Sequence, residues 1–151
     1  MNDRYLFRAK LKDNGKWVDG YYQKRYDLLG NEEHLIFHAD SYTVWEYAEI
    51  DPETLCQFTG LCDKNGKKIW ESDIISYQRD NDDCPFPNKD TKKRFGKVFY
   101  QGFRSTFAIG MGKNGSKSIN DDLWKYVQNG NRVEVIGNQF DNPELLQEEH
   151  K

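Results

Sequence analysis

Residues 57–77 read QFTGLCDKNGKKIWESDIISY. An apolar run covers residues 55–60, a dense polar block follows, and a second run covers residues 68–77. In that second run Ile69, Glu71 and Asp73 alternate with Trp70, Ser72 and Ile74. Alternation with period two is the mark of a strand. Between the runs, Asn65-Gly66 is the favoured two-residue hairpin turn, because both residues tolerate positive φ. Asp63 is placed to accept hydrogen bonds from the backbone of its own turn. The lysines stay in water and discourage edge-to-edge pairing. The stretch therefore predicts a β-hairpin whose polar block reverses the chain and keeps the reversal soluble.

The same signal extends in both directions. RYLFRAK alternates, the turn KDNG follows, and KWVDGYYQ resumes, which predicts a first hairpin from residues 5–11 and 16–23. HLIFHA and YTVWEYAEI are β-branched and aromatic, as strands are. LGNEE supplies a turn before the first of these. Pro52 breaks the ladder and suits the first position of a short helical turn after Asp51. Residues 78–94 form a long polar loop with two prolines, the best candidate for disorder or for a mobile functional loop. GKVFYQG, STFAIGMG and RVEVIGNQF are further strands, and KNGSK holds a third Asn-Gly. SINDDLWKYVQNG predicts a short helix capped by Ser118 or Asn120, with Asp121 and Asp122 at its positive end and Gly130 past its last turn. Asn142 and Pro143 open a closing helical turn. About eight strands with little helix predict an all-β fold, an antiparallel barrel or paired sheets.

The chain has 151 residues, the size of one domain with an optional subdivision at residues 1–55 and 56–151. Its apolar fraction, 36%, is low, but aromatics at 15% compensate, since each ring buries roughly 150–250 Å². That content excludes a disordered chain. No apolar run reaches the roughly 18 residues of a membrane helix, and the first residues lack the apolar stretch of a secretion signal. A cytoplasmic protein is expected. Cys56, Cys62 and Cys84 are an odd number at irregular spacing and predict no disulfide framework.

The net charge of −3 is unevenly spread. Residues 1–25 carry +4, residues 26–63 carry −9 with no Lys or Arg, residues 64–104 carry +4, and residues 105–151 carry −2. Solvated faces of opposite sign explain this. So does self-association, or a polarised surface that steers a charged partner.

His34 and His38 stand four apart, and Cys56 and Cys62 six apart, unlike the spacing of zinc ligands, so no metal or cofactor is expected. A Cys62 or Cys84 pair with either histidine lacks a supporting motif. Glu71 with Asp73, Asp82 with Asp83, and Asp121 with Asp122 are paired carboxylates. A small hydrolase using Glu71 and Asp73 is one reading, and a solvated strand edge is the plainer one. GKNGSKS lacks the spacing of a phosphate-binding loop. Basic residues interleaved with aromatics occur twice. Arg4, Arg8 and Trp17 form one group, and Lys92, Lys93, Arg94 and Lys97 the other, a pattern that suits single-stranded nucleic acid. The sequence pI near 5.6 weighs against it.

Two long motifs, QFTGLCDKNGKKIWESDII and VEVIGNQFDNPELL, resemble the signatures of the YopX family. Phe7-Arg8-Ala9 resembles that family's opening FRAW, with Lys10 as the departure. The central motif keeps Gln57, Phe58, Thr59, Gly60, Leu61, Asp63, Lys64, Asn65, Gly66, Ile69, Glu71, Asp73 and Ile74, and Trp70 takes the usual aromatic place. Ser72 stands where glycine is common. The resemblance implies a small protein of a bacteriophage, prophage or integrated element with an all-β, barrel-containing fold. It brings no activity, cofactor or catalytic residue. Gln57, Thr59, Gly60, Asp63, Asn65, Gly66, Trp70, Glu71 and Asp73 are then structural. Trp70 is expected in the core and Ser72 in ordinary strand conformation. The expected function is a non-enzymatic accessory protein that binds another macromolecule and self-associates, with no membrane partner. Single-stranded nucleic-acid binding and the small hydrolase are the alternatives.

Overall fold

The computed structural model describes residues 3–39, 45–78, 93–110, 120–128 and 130–147. The chain divides into two compact units, Met1–Phe58 and Thr59–Lys151. The fold is all-β with a single short α-helix among the described residues.

The first unit holds β1 (Phe7–Lys10), β2 (Trp17–Tyr26), β3 (Glu32–Ala39), β4 (Trp45–Glu49) and the start of β5 (Cys56–Cys62). The strands are antiparallel in the order β4-β3-β2-β1-β5. β2 serves two partners in turn. Trp17 to Gly20 pair with β1, and Tyr21 to Tyr26 pair with β3. Gly20 sits at the change of partner. A Cβ there would lie 2.1 Å from the carbonyl oxygen of Phe37, so only glycine permits the approach. Ala9, Ile36 and Ile50 form the buried centre, with Leu11, Val18, Tyr22 and Leu55 packed around it. As expected, Asp51 caps a 3₁₀ turn, Pro52–Thr54, and Thr54 Oγ1 accepts the Lys10 N–H at 2.8 Å.

The second unit holds the rest of β5, β6 (Lys68–Trp70), β7 (Asp73–Gln78), β8 (Lys93–Gln101), β9 (Thr106–Gly110), β10 (Asn120–Asp122), α1 (Leu123–Gln128) and β11 (Val133–Asn138). β6 follows β5 at the end of the first sheet, and a second sheet runs β10-β9-β8-β7-β11. Its core is Ile69, Ile75, Tyr77, Val98, Ile109, Leu123, Tyr126 and Val133. Trp70 is buried, at 6% exposure.

Several expectations need correction. The described strands form two open sheets and no closed barrel. A lone bridge, Leu11↔Ile50, ties the end of β4 back to the first hairpin, but one bridge is not a ladder. The Asn-Gly pairs are not two-residue turns, because only the glycines take positive φ: +69° at Gly15 and +79° at Gly66. In the central hairpin the Asp63 N–H donates to the Lys67 carbonyl at 2.8 Å and the Gly66 N–H to the Asp63 carbonyl at 3.0 Å. That is a three-residue loop with a left-handed glycine. The run 68–77 is not one strand, since a turn at Glu71 and Ser72 separates β6 from β7. Ser72 is not in strand conformation: its φ is +69°. The cap of α1 is Asp122, whose Oδ1 accepts the Trp124 N–H at 3.0 Å, while Asn120 belongs to β10. Ser118, KNGSK and residues 79–92 of the polar loop lie outside the described residues.

Candidate functional site

Antiparallel partners directly opposite one another share a sheet face, and alternate residues along a strand do likewise. In the first unit Tyr21 stands opposite Phe37, and Phe37 opposite Tyr47. Trp17 stands opposite Lys10, and Asp19 opposite Arg8. The core residues Ala9 and Val18 face the other way, opposite each other. Trp17, Tyr21, Phe37, Trp45 and Tyr47 are thereby gathered on the face opposite Ala9, Val18 and Ile36, together with Leu35, which is buried there at 2% exposure.

Ring contacts knit this face together. Tyr21 and Trp45 lie with centroids 6.1 Å apart, and Phe37 and Tyr47 5.8 Å apart. Trp45 and Tyr47 are each 59% exposed. Three cations stand over rings: Arg8 at 4.7 Å and Lys10 at 5.5 Å from Trp17, and Arg25 at 5.2 Å from Tyr47. Arg25 Nε also donates to Glu33 at 2.7 Å, which raises the guanidinium pKa and fixes its charge. A groove of about 550 Å³ opens here, with Leu6, Trp17, Tyr21, Phe37, His38 and Trp45 in its lining.

Of the residues chosen from sequence, Arg8 and Trp17 lie on this face. Arg4 is in the 3₁₀ turn Asp3–Tyr5. Lys92 lies outside the described residues. Lys93, Arg94 and Lys97 are in β8 of the second unit. By strand period Lys93 and Lys97 share one face and Arg94 takes the other, opposite Tyr77. Lys97 Nζ donates to Gln139 Oε1 at 2.9 Å. β8 therefore does not present the three cations together. Tyr21, Arg25, Phe37, Trp45 and Tyr47 went unnoticed in the sequence. Their signal is the register between strands, which one strand's pattern does not carry.

The motif residues build local structure. Gln57 pairs with Phe7. Thr59 Oγ1 donates to the Ile69 carbonyl at 2.7 Å, and Gly60 bends β5 at φ +82°. Asp63 Oδ1 accepts the Asn65 and Lys67 N–H groups at 2.9 Å each, as its position in the turn suggests. Glu71 and Asp73 do not share a strand face. Asp73 is 1% exposed, and its Oδ2 accepts the Trp70 N–H at 2.8 Å, so this carboxylate closes the turn. Asp121 Oδ2 accepts the Tyr77 hydroxyl at 2.6 Å, and Asp122 caps α1, so that pair divides between two structural roles. Burial and this bond both push the Tyr77 pKa far up.

Among the described residues no three of His, Cys, Asp and Glu cluster as metal ligands. Cys56 is buried, its Sγ donating to the Thr54 carbonyl at 3.3 Å, and Cys62 is exposed. His34 Nδ1 is 2.7 Å from the Tyr22 hydroxyl. Cys84 lies outside the described residues. No helix among the described residues is long and apolar enough to cross a membrane.

The sequence model described as YopX protein matches residues 6–147, almost the whole chain. The chain belongs to the YopX family. Its fold is similar to that of protein yopX from Bacillus subtilis, with a TM-score of 0.50, 18% identity, and 97% of each chain covered. It is also similar to protein EF1440 from Enterococcus faecalis, with a TM-score of 0.49, 22% identity, and 93% of this chain and 96% of that chain covered. No curated protein matches the chain.

Proposed function

We propose that this YopX-family chain is a non-enzymatic accessory protein of a phage or mobile element, and that it works by binding another protein through the aromatic face of its first unit. The observation that carries this reading is the set of five rings gathered on the face opposite Ala9, Val18 and Ile36, with Trp45 and Tyr47 each 59% exposed. Trp, Tyr and Arg are the residues that dominate binding energy at protein interfaces. Here they stand side by side, and their exposure is of no use to the core. The acidic net charge, −3, favours a protein over a polyanion. The test is co-precipitation from host cells with the wild-type chain and with Trp45→Ala/Tyr47→Ala as bait. The expected result is a partner retained by the first and lost by the second, with equal melting temperatures. Equal recovery on both baits sinks the reading.

A second reading has its own support in Arg8 and Lys10, both held over Trp17. A ring flanked by cations suits a stacked base with its phosphate. Fluorescence anisotropy with a labelled single-stranded oligonucleotide separates the two readings. Binding that weakens steeply with salt means phosphate contacts and favours nucleic acid. No binding at low salt removes that reading.

A further inference from the structure

We propose that the second unit binds a phosphate group in a small basic pocket formed by Lys64, Lys93 and Arg132, with the buried Ser76 hydroxyl in its lining. This pocket belongs to the second unit alone and is independent of the aromatic face of the first.

The pocket, of about 250 Å³, lies where β7 ends and where β8 and β11 begin. Register decides which side chains meet there. Gln78 stands opposite Lys93, and Ser76 opposite Glu134. Opposite partners share a face, and so do Ser76 and Gln78, two apart on one strand. The core residues Ile75, Tyr77 and Val133 take the other face. Lys64 arrives from the central turn, its N–H donating to the Val133 carbonyl at 2.9 Å. Arg132 arrives from the segment before β11. Its N–H donates to the Tyr126 carbonyl at 2.9 Å, and its guanidinium stands 5.0 Å from the Tyr126 ring centroid. Beside it the Asn131 side chain donates to the Cys62 carbonyl at 3.1 Å. The fold thus fixes the walls in advance, which lowers the cost of ordering them around a ligand.

Charge and hydrogen bonding select the ligand. Among the described residues the lining holds three cations and one carboxylate, Glu134. Lys64 Nζ pairs with Glu134 at 2.9 Å, and that bond, helped by Lys93, holds the carboxyl below its ordinary pKa. Two positive charges remain. Ser76 is only 5% exposed, and buried hydroxyls ordinarily find a partner. Yet no side-chain hydrogen bond among the described residues uses Ser76 Oγ. Lys, Arg and Ser around one small cavity are the donors that a phosphate needs, since it brings up to two negative charges and only acceptors. A carboxylate offers one charge and fewer acceptor oxygens. The volume is below that of a drug-sized site. The ligand is therefore free phosphate, or a phosphate that enters ahead of its carrier, as at the 5′ end of a nucleic-acid strand.

The experiment is isothermal titration calorimetry with inorganic phosphate in about 0.15 M chloride, where diffuse surface attraction is screened. It compares the wild-type chain with Lys93→Gln, Ser76→Ala and Lys97→Gln. Lys97 shares a face of β8 with Lys93 but bonds to Gln139 and lies outside the lining, so it is the control. The expected result is one saturable site with a Kd of about 1 mM or tighter. Lys93→Gln should weaken it about tenfold and Ser76→Ala about threefold. Lys97→Gln should leave it unchanged, and all four melting temperatures should agree. Absence of saturable binding overturns the proposal. Equal losses in Lys93→Gln and Lys97→Gln overturn it in favour of diffuse attraction. Unchanged binding in Ser76→Ala overturns the role given to the hydroxyl. Competition with two oligonucleotides of one sequence, 5′-phosphorylated and 5′-hydroxyl, separates the sources. Displacement by the first alone assigns the site to a strand end, and displacement by neither assigns it to free phosphate. Equal displacement by both overturns the site in favour of general polyanion contacts.

Discussion

The carboxylate of Asp63 accepts the backbone N–H of Val135 at 3.0 Å, across 72 positions of sequence. Its other oxygen serves the turn itself, taking the Asn65 and Lys67 N–H groups. Around this bond the Lys64 N–H donates to the Val133 carbonyl at 2.9 Å, and Lys64 Nζ pairs with Glu134 at 2.9 Å. The turn is thus more than a soluble reversal. It clamps the central hairpin onto β11, and it joins the two long motifs that mark the family.

Asp63→Ala should therefore be costly. The side chain is 3% exposed, and its loss strands amide donors in a water-poor site. A loss of about 3 kcal/mol or more is expected, since bonds to a charged acceptor contribute about 1.5–3 kcal/mol each. Asp27→Ala breaks the same local bonds in an exposed turn with no long-range partner among the described residues, and should cost clearly less. Urea denaturation of the two variants gives the comparison. Equal losses would mean that the Val135 bond contributes nothing.

Ser72→Gly should stabilise the protein. At φ +69° a side chain crowds the following carbonyl, at a cost of roughly 1 kcal/mol that glycine avoids. The urea midpoint should rise by the equivalent of about 1 kcal/mol, with the slope unchanged. A lower midpoint would show that the Ser72 hydroxyl contributes more than the strain removes.

Ser72 also marks where sequence reading stops. Alternation and β-branched or aromatic composition located the strands around Tyr22, Ile36, Ile75 and Val98, although β7 itself is buried on both faces from Asp73 to Tyr77. The conformation of Ser72 is set by distant partners: its N–H donates to the Val98 carbonyl, and its carbonyl accepts the Gln139 N–H. Neither partner is visible in the local pattern. The cap of α1 shifted for a similar reason, since pairing with β9 holds residues 120–122 in a strand. The candidate site divides along the same line. Arg8 and Trp17 stood out because cations and rings alternate there. Tyr21, Phe37 and Tyr47 meet only through the registers of β2, β3 and β4, and those registers depend on loops.

Trp70→Ala tests the core assignment. The ring is 6% exposed, and its backbone N–H is held by Asp73, so the residue is fixed from both ends. Removing a buried indole costs about 3–5 kcal/mol through lost transfer energy and an unfilled cavity. Thermal unfolding followed by circular dichroism measures this. A melting curve like the wild type's would place the ring outside the core.

Tyr77 gives the protein an alkaline limit. Its pKa lies far above the ordinary value of 10.0, first because burial disfavours the phenolate and then because Asp121 accepts its proton. In the unfolded chain the phenol titrates normally. As pH rises past 10, the unfolded state loses a proton that the folded state keeps, so stability falls with pH in that window. The contribution is fully present below pH 10 and is lost progressively above it, towards the raised folded value. Tyr77→Phe removes the titrating group. Its urea midpoint should be lower at pH 8, because Asp121 loses its donor, but should decline less than the wild type's between about pH 10 and 11. Parallel declines in the two proteins would mean that the alkaline loss comes from other groups.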